Sequence, residues 1–288
     1  MSCQIIRVET LIIPARDGYS LAATHYVPDV EAERLVIINS ATGVKRGYYD
    51  RYARFLCGRG LEVLTYDYRG IGGSLEGQIR AQKCDMRQWG EVDIASVIDY
   101  VTANMPACRL LAVGHSAGGQ MLGLADNNAR VEAMLAVSAQ SGYWKHWSGI
   151  ARWRLGLLWH LVMPGLSRVF SYFPSKLIGF GENLPGGVAR EWARWCRHPD
   201  YLVDHNGQPL RVHFEAYRGR IRAYIIGDDW MAPRAAVEAL MRFYRSARVE
   251  LKVVQPSDVG AKTLGHFGFF RESGKPIWQE SAEWLEGR

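Results

Sequence analysis

The sequence has no long uninterrupted apolar run. No stretch of its 288 residues reaches the roughly 20 apolar residues that a membrane-spanning helix needs, so we expect no stable membrane insertion. Residues 1–7 also lack a positively charged segment followed by an apolar stretch, so we expect no secretory signal. Both absences favour a cytoplasmic protein.

Closely spaced cysteines are also absent. The chain has five cysteines, an odd number, and no C-x-x-C pair. Disulfide frameworks and zinc sites both use patterned cysteines, so we expect reduced structural thiols and no metal centre. The cysteines are Cys3, Cys57, Cys84, Cys108 and Cys196.

A long run of lysine and arginine is missing as well. The formal net charge is +6, but the basic residues are scattered along the chain. Nucleic-acid binding needs a clustered basic face, so we expect no nucleic-acid partner. The 48% hydrophobic content argues against disorder, and the length fits one α/β domain with an inserted subdomain.

What is present centres on residues 114–119, Gly-His-Ser-Ala-Gly-Gly. They follow an apolar run at residues 109–113 that predicts a buried strand, and they precede a predicted helix at residues 120–125. Between a strand and a helix, a G-x-S-x-G turn exposes its serine, here Ser116, on a strained elbow. We expect His115 to position this turn. The competing interpretation is a glycine-rich turn with an incidental serine.

Two further segments have the same order of strand and loop. Residues 35–38 form an apolar run before one loop, and residues 61–65 form another before D-x-R-G-x-G-x-S at residues 67–74. With the elbow, these segments resemble the α/β-hydrolase family of esterases, lipases and serine aminopeptidases. We expect the loop at residues 67–74 to brace the elbow, with Arg69 binding Asp67 or neighbouring carbonyls.

The resemblance implies an α/β-hydrolase fold, a mostly parallel central sheet flanked by helices. Near the start, residues 6–12 alternate in polarity, Asp17-Gly18 offers a turn, and residues 21–27 return. This pattern predicts an antiparallel strand pair at the edge of that sheet.

Residues 141–211 have a different composition. They hold six of the ten tryptophans, and prolines and glycines divide them into short predicted helices. The resemblance implies a helical lid inserted into a core made of residues 1–140 and 212–288. Its aromatic rings suit the lining of an apolar pocket or attachment to the core. A third interpretation is a membrane-surface patch, since arginines alternate with the aromatic residues.

The remaining catalytic candidates lie near the end of the chain. After a predicted strand at residues 221–226, Asp229 has the D-x-x-x-P spacing of the family's acid, with Asp228 as the alternative. Helix capping would also explain either aspartate. His266 alone among the eight histidines follows both the serine and the acid. The order Ser116, Asp229, His266 is that of α/β-hydrolases.

The oxyanion hole is harder to assign from sequence. Ala117 N–H follows the nucleophile, and the second donor belongs to the loop that starts at Asn39. Many relatives have His-Gly where this chain has Asn39-Ser40, so the chain departs from the family pattern. A backbone N–H needs no particular side chain. Ala41 is therefore the first candidate and Thr42 the second.

These residues predict a serine hydrolase that cleaves carboxylic esters through an acyl-enzyme at Ser116. His266 would act as base and Asp229 would orient it, without a metal or organic cofactor. The expected partner is a small acyl substrate with an apolar part. The same machinery also serves thioesterases, amidases or peptidases, and acyltransferases, and a non-catalytic ligand-binding protein is a further alternative. The oligomeric state stays open.

Overall fold

An eight-stranded sheet forms the centre of the molecule in the computed structural model, which describes residues 6–288. Two very short strands, β7 and β8, pair separately. In chain order the strands are β1 (Arg7–Pro14), β2 (Ser20–Val27), β3 (Arg34–Asn39), β4 (Glu62–Tyr66), β5 (Arg109–His115), β6 (Val131–Val137), β7 (Tyr172–Phe173), β8 (Leu184–Pro185), β9 (Arg220–Ile226) and β10 (Arg248–Val254).

The order of the strands in the main sheet is β1-β2-β4-β3-β5-β6-β9-β10. The pairs β1–β2 and β2–β4 are antiparallel, whereas β4, β3, β5, β6, β9 and β10 pair in parallel. The predicted mostly parallel sheet with an antiparallel N-terminal pair is therefore confirmed. Strand β5, which leads to Ser116, lies between β3 and β6, so the elbow sits above the middle of the sheet.

Helices cover both faces of the sheet. They are α1 (Asp50–Cys57), α2 (Met86–Gln88), α3 (Ala95–Asn104), α4 (Ala117–Met121), α5 (Gly149–Leu157), α6 (Met163–Phe170), α7 (Gly186–Arg197), α8 (Val212–Ala216), α9 (Arg234–Met241) and α10 (Lys275–Glu286).

The inner strands are buried on both faces, which explains why they are apolar without alternation. In β3, Leu35 and Ile37 pack into the core that includes residues of α3 and α7. Their neighbours Val36 and Ile38 pack into the opposite core, with residues of α1 and α10. Successive side chains of a strand point to opposite faces, so one short apolar run supports both cores.

Residues 141–211 lie between β6 and α8 and contain α5, α6, α7 and the β7–β8 pair. The helix that starts with α5 continues through a wider turn at Leu158–Val162 into α6. Trp159 and Trp195 are buried in the core cluster that also contains β3 residues. Part of the aromatic content therefore attaches this segment to the rest of the molecule, as one of the two predicted roles requires.

Two expectations from composition concern the described residues. Within residues 6–288, no helix is long and apolar enough to cross a membrane. Cys57, Cys84, Cys108 and Cys196 are free thiols. Cys3, and most of the segment considered for a secretory signal, lie outside the described residues.

Candidate active site

Ser116 occupies a strained turn between β5 and α4. Its backbone has φ 50° and ψ −115°, a region that residues other than glycine rarely adopt. Strand β6 holds the turn in place, because Ser116 N–H donates a hydrogen bond to Val137 O at 2.9 Å. Gly118 fits because a Cβ there would collide with Asn39 O. The helix begins at Ala117, three residues before the start predicted from sequence.

Asp229 and His266 meet although 37 positions separate them. His266 Nδ1 lies 2.7 Å from Asp229 Oδ2, and both side chains are buried. The second carboxylate oxygen, Oδ1, accepts hydrogen bonds from Met231 N–H at 2.9 Å and Ala232 N–H at 3.2 Å. A carboxylate so surrounded accepts the Nδ1 proton of the imidazole, which leaves Nε2 with its lone pair.

Asp228, the alternative acid, has a different position. Its carboxylate accepts hydrogen bonds from Leu264 N–H and Gly265 N–H, each at 2.9 Å. It therefore supports the loop that carries His266 and does not contact the imidazole. Of the two aspartates, Asp229 is the one that the structure brings to His266.

A buried chain of hydrogen bonds joins the three loops of the site. Ala41 N–H donates to Tyr49 Oη at 2.8 Å, Tyr49 Oη lies 2.9 Å from His115 Nδ1, and His115 Nε2 lies 2.9 Å from His266 O. A carbonyl oxygen only accepts, so Nε2 of His115 carries the proton. Nδ1 must then accept from the tyrosine hydroxyl, whose oxygen accepts from Ala41. Every group in this chain has a partner.

The environment of His115 keeps its ring neutral. The ring is completely buried, and burial lowers its pKa well below the ordinary value, with a further contribution from nearby His266. The phenol of Tyr49 is buried beside it, and burial raises its pKa well above the ordinary value. Neither group changes charge near neutral pH, so the chain of hydrogen bonds keeps one arrangement. This gives the predicted positioning role of His115 two named partners, Tyr49 and His266. Sequence reasoning missed Tyr49, because nothing in the sequence links it to the elbow.

The backbone N–H groups near Ser116 differ in their availability. The amide of Ala41, the first candidate for the second oxyanion donor, is bound to Tyr49. Among the hydrogen bonds within residues 6–288, none uses the N–H of Thr42 or of Ala117. The buried hydroxyl of Thr42 also has no partner among the described residues. The N–H groups of Thr42 and Ala117 thus remain available as donors.

The ring of His266 lies close to the histidine that precedes Ser116 in the elbow. The rings of His115 and His266 lie 5.2 Å apart between centroids, and Ser116 is the next residue in the chain. Among the hydrogen bonds that the described part of the chain makes, none joins Ser116 Oγ to His266 Nε2. Catalytic contacts of this type commonly become short only with substrate in place.

The prediction for Arg69 was wrong in its partners. Its guanidinium binds Asp93 Oδ1 at 2.7 Å and Asp17 Oδ2 at 2.6 Å, not Asp67. Asp67 instead accepts hydrogen bonds from Arg46, from both the backbone N–H and the guanidinium of that arginine. The loop at residues 67–74 therefore has a structural task, but its ion pairs connect elements that are distant in sequence.

A small apolar cavity lies between residues 141–211 and the loop that carries Asp229. Its volume is about 170 Å³, and its lining includes Trp230 and Met231, directly after the aspartate. Gln140 also lines it and donates to Met231 O at 3.2 Å. Most of the other lining comes from the segment: Gly142, Trp147, Leu155, Leu158, Trp159, Met163, Phe173, Ile178, Phe180, Trp192 and Cys196.

Comparison with known families agrees with this architecture. The model of the alpha/beta hydrolase family matches residues 35–275, most of the chain, including Ser116, Asp229 and His266. The chain belongs to the alpha/beta hydrolase family. Within the described residues of this alpha/beta hydrolase, no group of three or more His, Cys, Asp or Glu side chains could hold a metal ion.

Solved structures similar to this alpha/beta hydrolase include several esterases. One from Exiguobacterium antarcticum is 15% identical, with a TM-score of 0.63 over 96% of this chain and 100% of its own. An esterase from Pyrococcus furiosus is 15% identical, with a TM-score of 0.60 and coverage of 98% and 93%. Est1E from Butyrivibrio proteoclasticus, solved with ferulic acid, is 16% identical, with a TM-score of 0.62 and coverage of 96% and 98%. At these identities the likeness concerns the fold.

Proposed function

We propose that this chain is a serine hydrolase that cleaves carboxylic esters through an acyl-enzyme at Ser116. The observation that carries the proposal is the buried 2.7 Å contact between His266 and Asp229 beside the strained Ser116 elbow. A serine hydroxyl is a weak nucleophile near neutral pH and needs an oriented base. An imidazole with Nδ1–H fixed on a carboxylate is such a base.

In the proposed reaction, Ser116 Oγ attacks the ester carbonyl while Nε2 of His266 takes the hydroxyl proton. The tetrahedral intermediate then collapses, the bond to the alcohol oxygen breaks, and the imidazolium returns the proton to the leaving alcohol. Water repeats these steps on the acyl-enzyme and releases the acid. Asp229 stabilises the imidazolium throughout, and its hydrogen bonds to Met231 and Ala232 prevent it from turning away.

The oxyanion of the intermediate would bind to Ala117 N–H and Thr42 N–H. The bond from Ala41 to Tyr49 favours Thr42 over Ala41 as the second donor. One such donor typically contributes about 3 kcal/mol to stabilisation of the transition state.

The cavity supports an apolar acyl group as the bound part of the substrate. An engineered protein cavity of about 150 Å³ holds benzene, so the volume of about 170 Å³ suits one ring or a short branched chain. Residues 141–211 contribute most of the lining and would act as the lid over the substrate.

The test is covalent labelling by a fluorophosphonate probe, followed by digestion and mass spectrometry. We expect the label on Ser116, and none in Ser116→Ala or His266→Ala. The same variants should lower kcat/KM for p-nitrophenyl butyrate by at least roughly 10³-fold. Asp228→Asn is the matched control for Asp229→Asn, since only Asp229 contacts the imidazole.

Two results would contradict the proposal. One is a folded protein that neither reacts with the probe nor hydrolyses any ester in a series of graded acyl length. The other is equal loss of activity in Asp228→Asn and Asp229→Asn, because the two carboxylates have different partners.

A further inference from the structure

The helix formed by α5, Leu158–Val162 and α6 has one apolar side exposed. Ile150, Trp153, Leu157 and Leu161 recur at intervals of three or four residues, and between 55% and 71% of each is exposed. Intervals of three and four place residues on one face of a helix. The opposite face is buried, with Gly156, Trp159, Met163 and Ser167. We call the exposed side the outer face.

The segment that contains the outer face carries charged residues of one sign. Residues 141–181 contain five lysines and arginines and no aspartate or glutamate. Arg154 and Arg168 are exposed on the same helix, and among the ion pairs of residues 6–288 neither takes part in one. The outer face therefore combines unpaired cations with large apolar side chains, which is an unusual surface for a soluble domain.

We infer that the outer face binds an anionic lipid surface. A helix whose apolar stripe is flanked by arginine lies in the interface of an anionic bilayer, with its apolar side chains below the headgroups. A second copy of the chain fits less well, because two outer faces would bring like charges together. An anionic lipid surface offers an apolar layer to the exposed apolar side chains and negative charge to the arginines.

The outer face adjoins the cavity described above. Leu155 and Leu158, on the same helix, line the cavity together with Ile178 and Trp230, and the last two are also 64% exposed. An apolar acyl chain in the lipid surface would thus lie near the cavity. This link to catalysis rests on the proposed function, whereas lipid binding itself does not.

The test is cosedimentation of the full chain with vesicles of phosphatidylcholine alone or mixed with phosphatidylglycerol. We expect binding to the mixed vesicles that falls as salt rises. Trp153→Ser with Leu157→Ser should weaken it by roughly tenfold or more. Arg154→Gln with Arg168→Gln should weaken it on mixed vesicles alone. Ile12→Ser with Leu251→Ser, two exposed apolar residues on the edge strands β1 and β10, is the matched control and should bind normally.

Three results would overturn the inference: no binding to mixed vesicles, equal binding by the outer-face and control variants, or a dimer in solution that Trp153→Ser with Leu157→Ser dissociates without any vesicle binding. Ser116→Ala should bind vesicles like the unmodified chain. Hydrolysis of a soluble short-chain ester, measured without vesicles, reports on the proposed function separately.

Discussion

At the scale of single residues, the hydroxyl of Tyr49 connects the loop of Ala41 to the histidine of the elbow. One oxygen accepts from Ala41 N–H and donates to His115 Nδ1, and the other nitrogen of that ring holds His266 O. Tyr49 touches none of the proposed reacting groups, so it is a positioning residue. It links the loop of Ala41, the elbow and the loop of His266, and we expect it to fix their spacing.

Tyr49→Phe removes this hydroxyl and little else. We expect kcat for an activated ester to fall roughly 10- to 100-fold with KM nearly unchanged, because small misplacements of catalytic groups are costly. Leaving the buried partners of the hydroxyl without a hydrogen bond should also cost about 1–3 kcal/mol of unfolding free energy. Steady-state kinetics and urea unfolding measure the two effects.

The matched control is Tyr52→Phe, three residues further along. Tyr52 is equally buried, and its hydroxyl lies 2.8 Å from Ser281 Oγ, away from the site. It should lose stability and keep its kcat. Equal losses of kcat in the two variants would show that Tyr49 has only a structural role.

Sequence reasoning succeeded where neighbouring residues decide the structure. Apolar runs and turn residues are local signals, and they predicted the parallel strands and the turn at Ser116. Side-chain contacts that depend on tertiary packing could not be predicted in this way. The partners of Arg69 are 24 and 52 positions away, and the amide of Ala41 is bound to a side chain that no local pattern identifies. Which backbone N–H is already bonded is decided by packing, so the second oxyanion donor could not be chosen from sequence.

At the scale of elements, the distance between α4 and the end of β3 depends on one missing methyl group. A Cβ on Gly118 would collide with Asn39 O and with Asn39 Cβ. Asn39 ends β3 and starts the loop that contains Ala41 and Thr42. The close approach of helix and strand therefore also fixes where the loop with Ala41 and Thr42 begins.

Gly118→Ala should force α4 away from β3. We expect a loss of about 3 kcal/mol of unfolding free energy from overpacking, together with a lower kcat. Gly165→Ala is the control, since this glycine is helical and nothing lies within 4 Å of an added Cβ. That variant should gain about 1 kcal/mol from helix propensity alone. Urea unfolding of both variants tests this prediction. A Gly118→Ala protein of normal stability and activity would refute it.

At the scale of the whole molecule, residues 141–211 meet the rest of the chain partly through two carboxylates. Glu191 of α7 accepts a hydrogen bond from Arg87 N–H of α2 at 2.7 Å and binds Arg194 at 2.8 Å. Burial, followed by the nearby carboxylate of Asp85, raises the pKa of Glu191 to about 7. Near neutral pH, this contact between the two parts of the molecule therefore changes its charge.

The sign of the resulting pH dependence follows from the direction in which the pKa of Glu191 moves. A carboxyl group whose pKa is higher in the folded state than in the unfolded state favours the fold while it is protonated. Its contribution is complete below the ordinary pKa of glutamate and is lost as the pH rises through about 7. A difference of one unit between the folded and unfolded pKa values corresponds to about 1.4 kcal/mol of unfolding free energy. We therefore expect urea unfolding midpoints to fall as the pH rises from about 4.5 to about 7, and to level off above that pH. Glu191→Gln keeps an acceptor for Arg87 N–H and should remove that slope.

Glu182→Gln is the control in the same segment, because the pKa of Glu182 is lowered by Lys176 and Lys45 and its effect belongs to acidic pH. It should leave the slope between about pH 5 and about pH 7 unchanged. If Glu191→Gln has the slope of the unmodified protein, the ionisation of Glu191 does not cause the pH dependence of stability. If the slope disappears, ionisation of Glu191 weakens the attachment of α7 to α2, because the new charge faces the carboxylate of Asp85 in a buried contact.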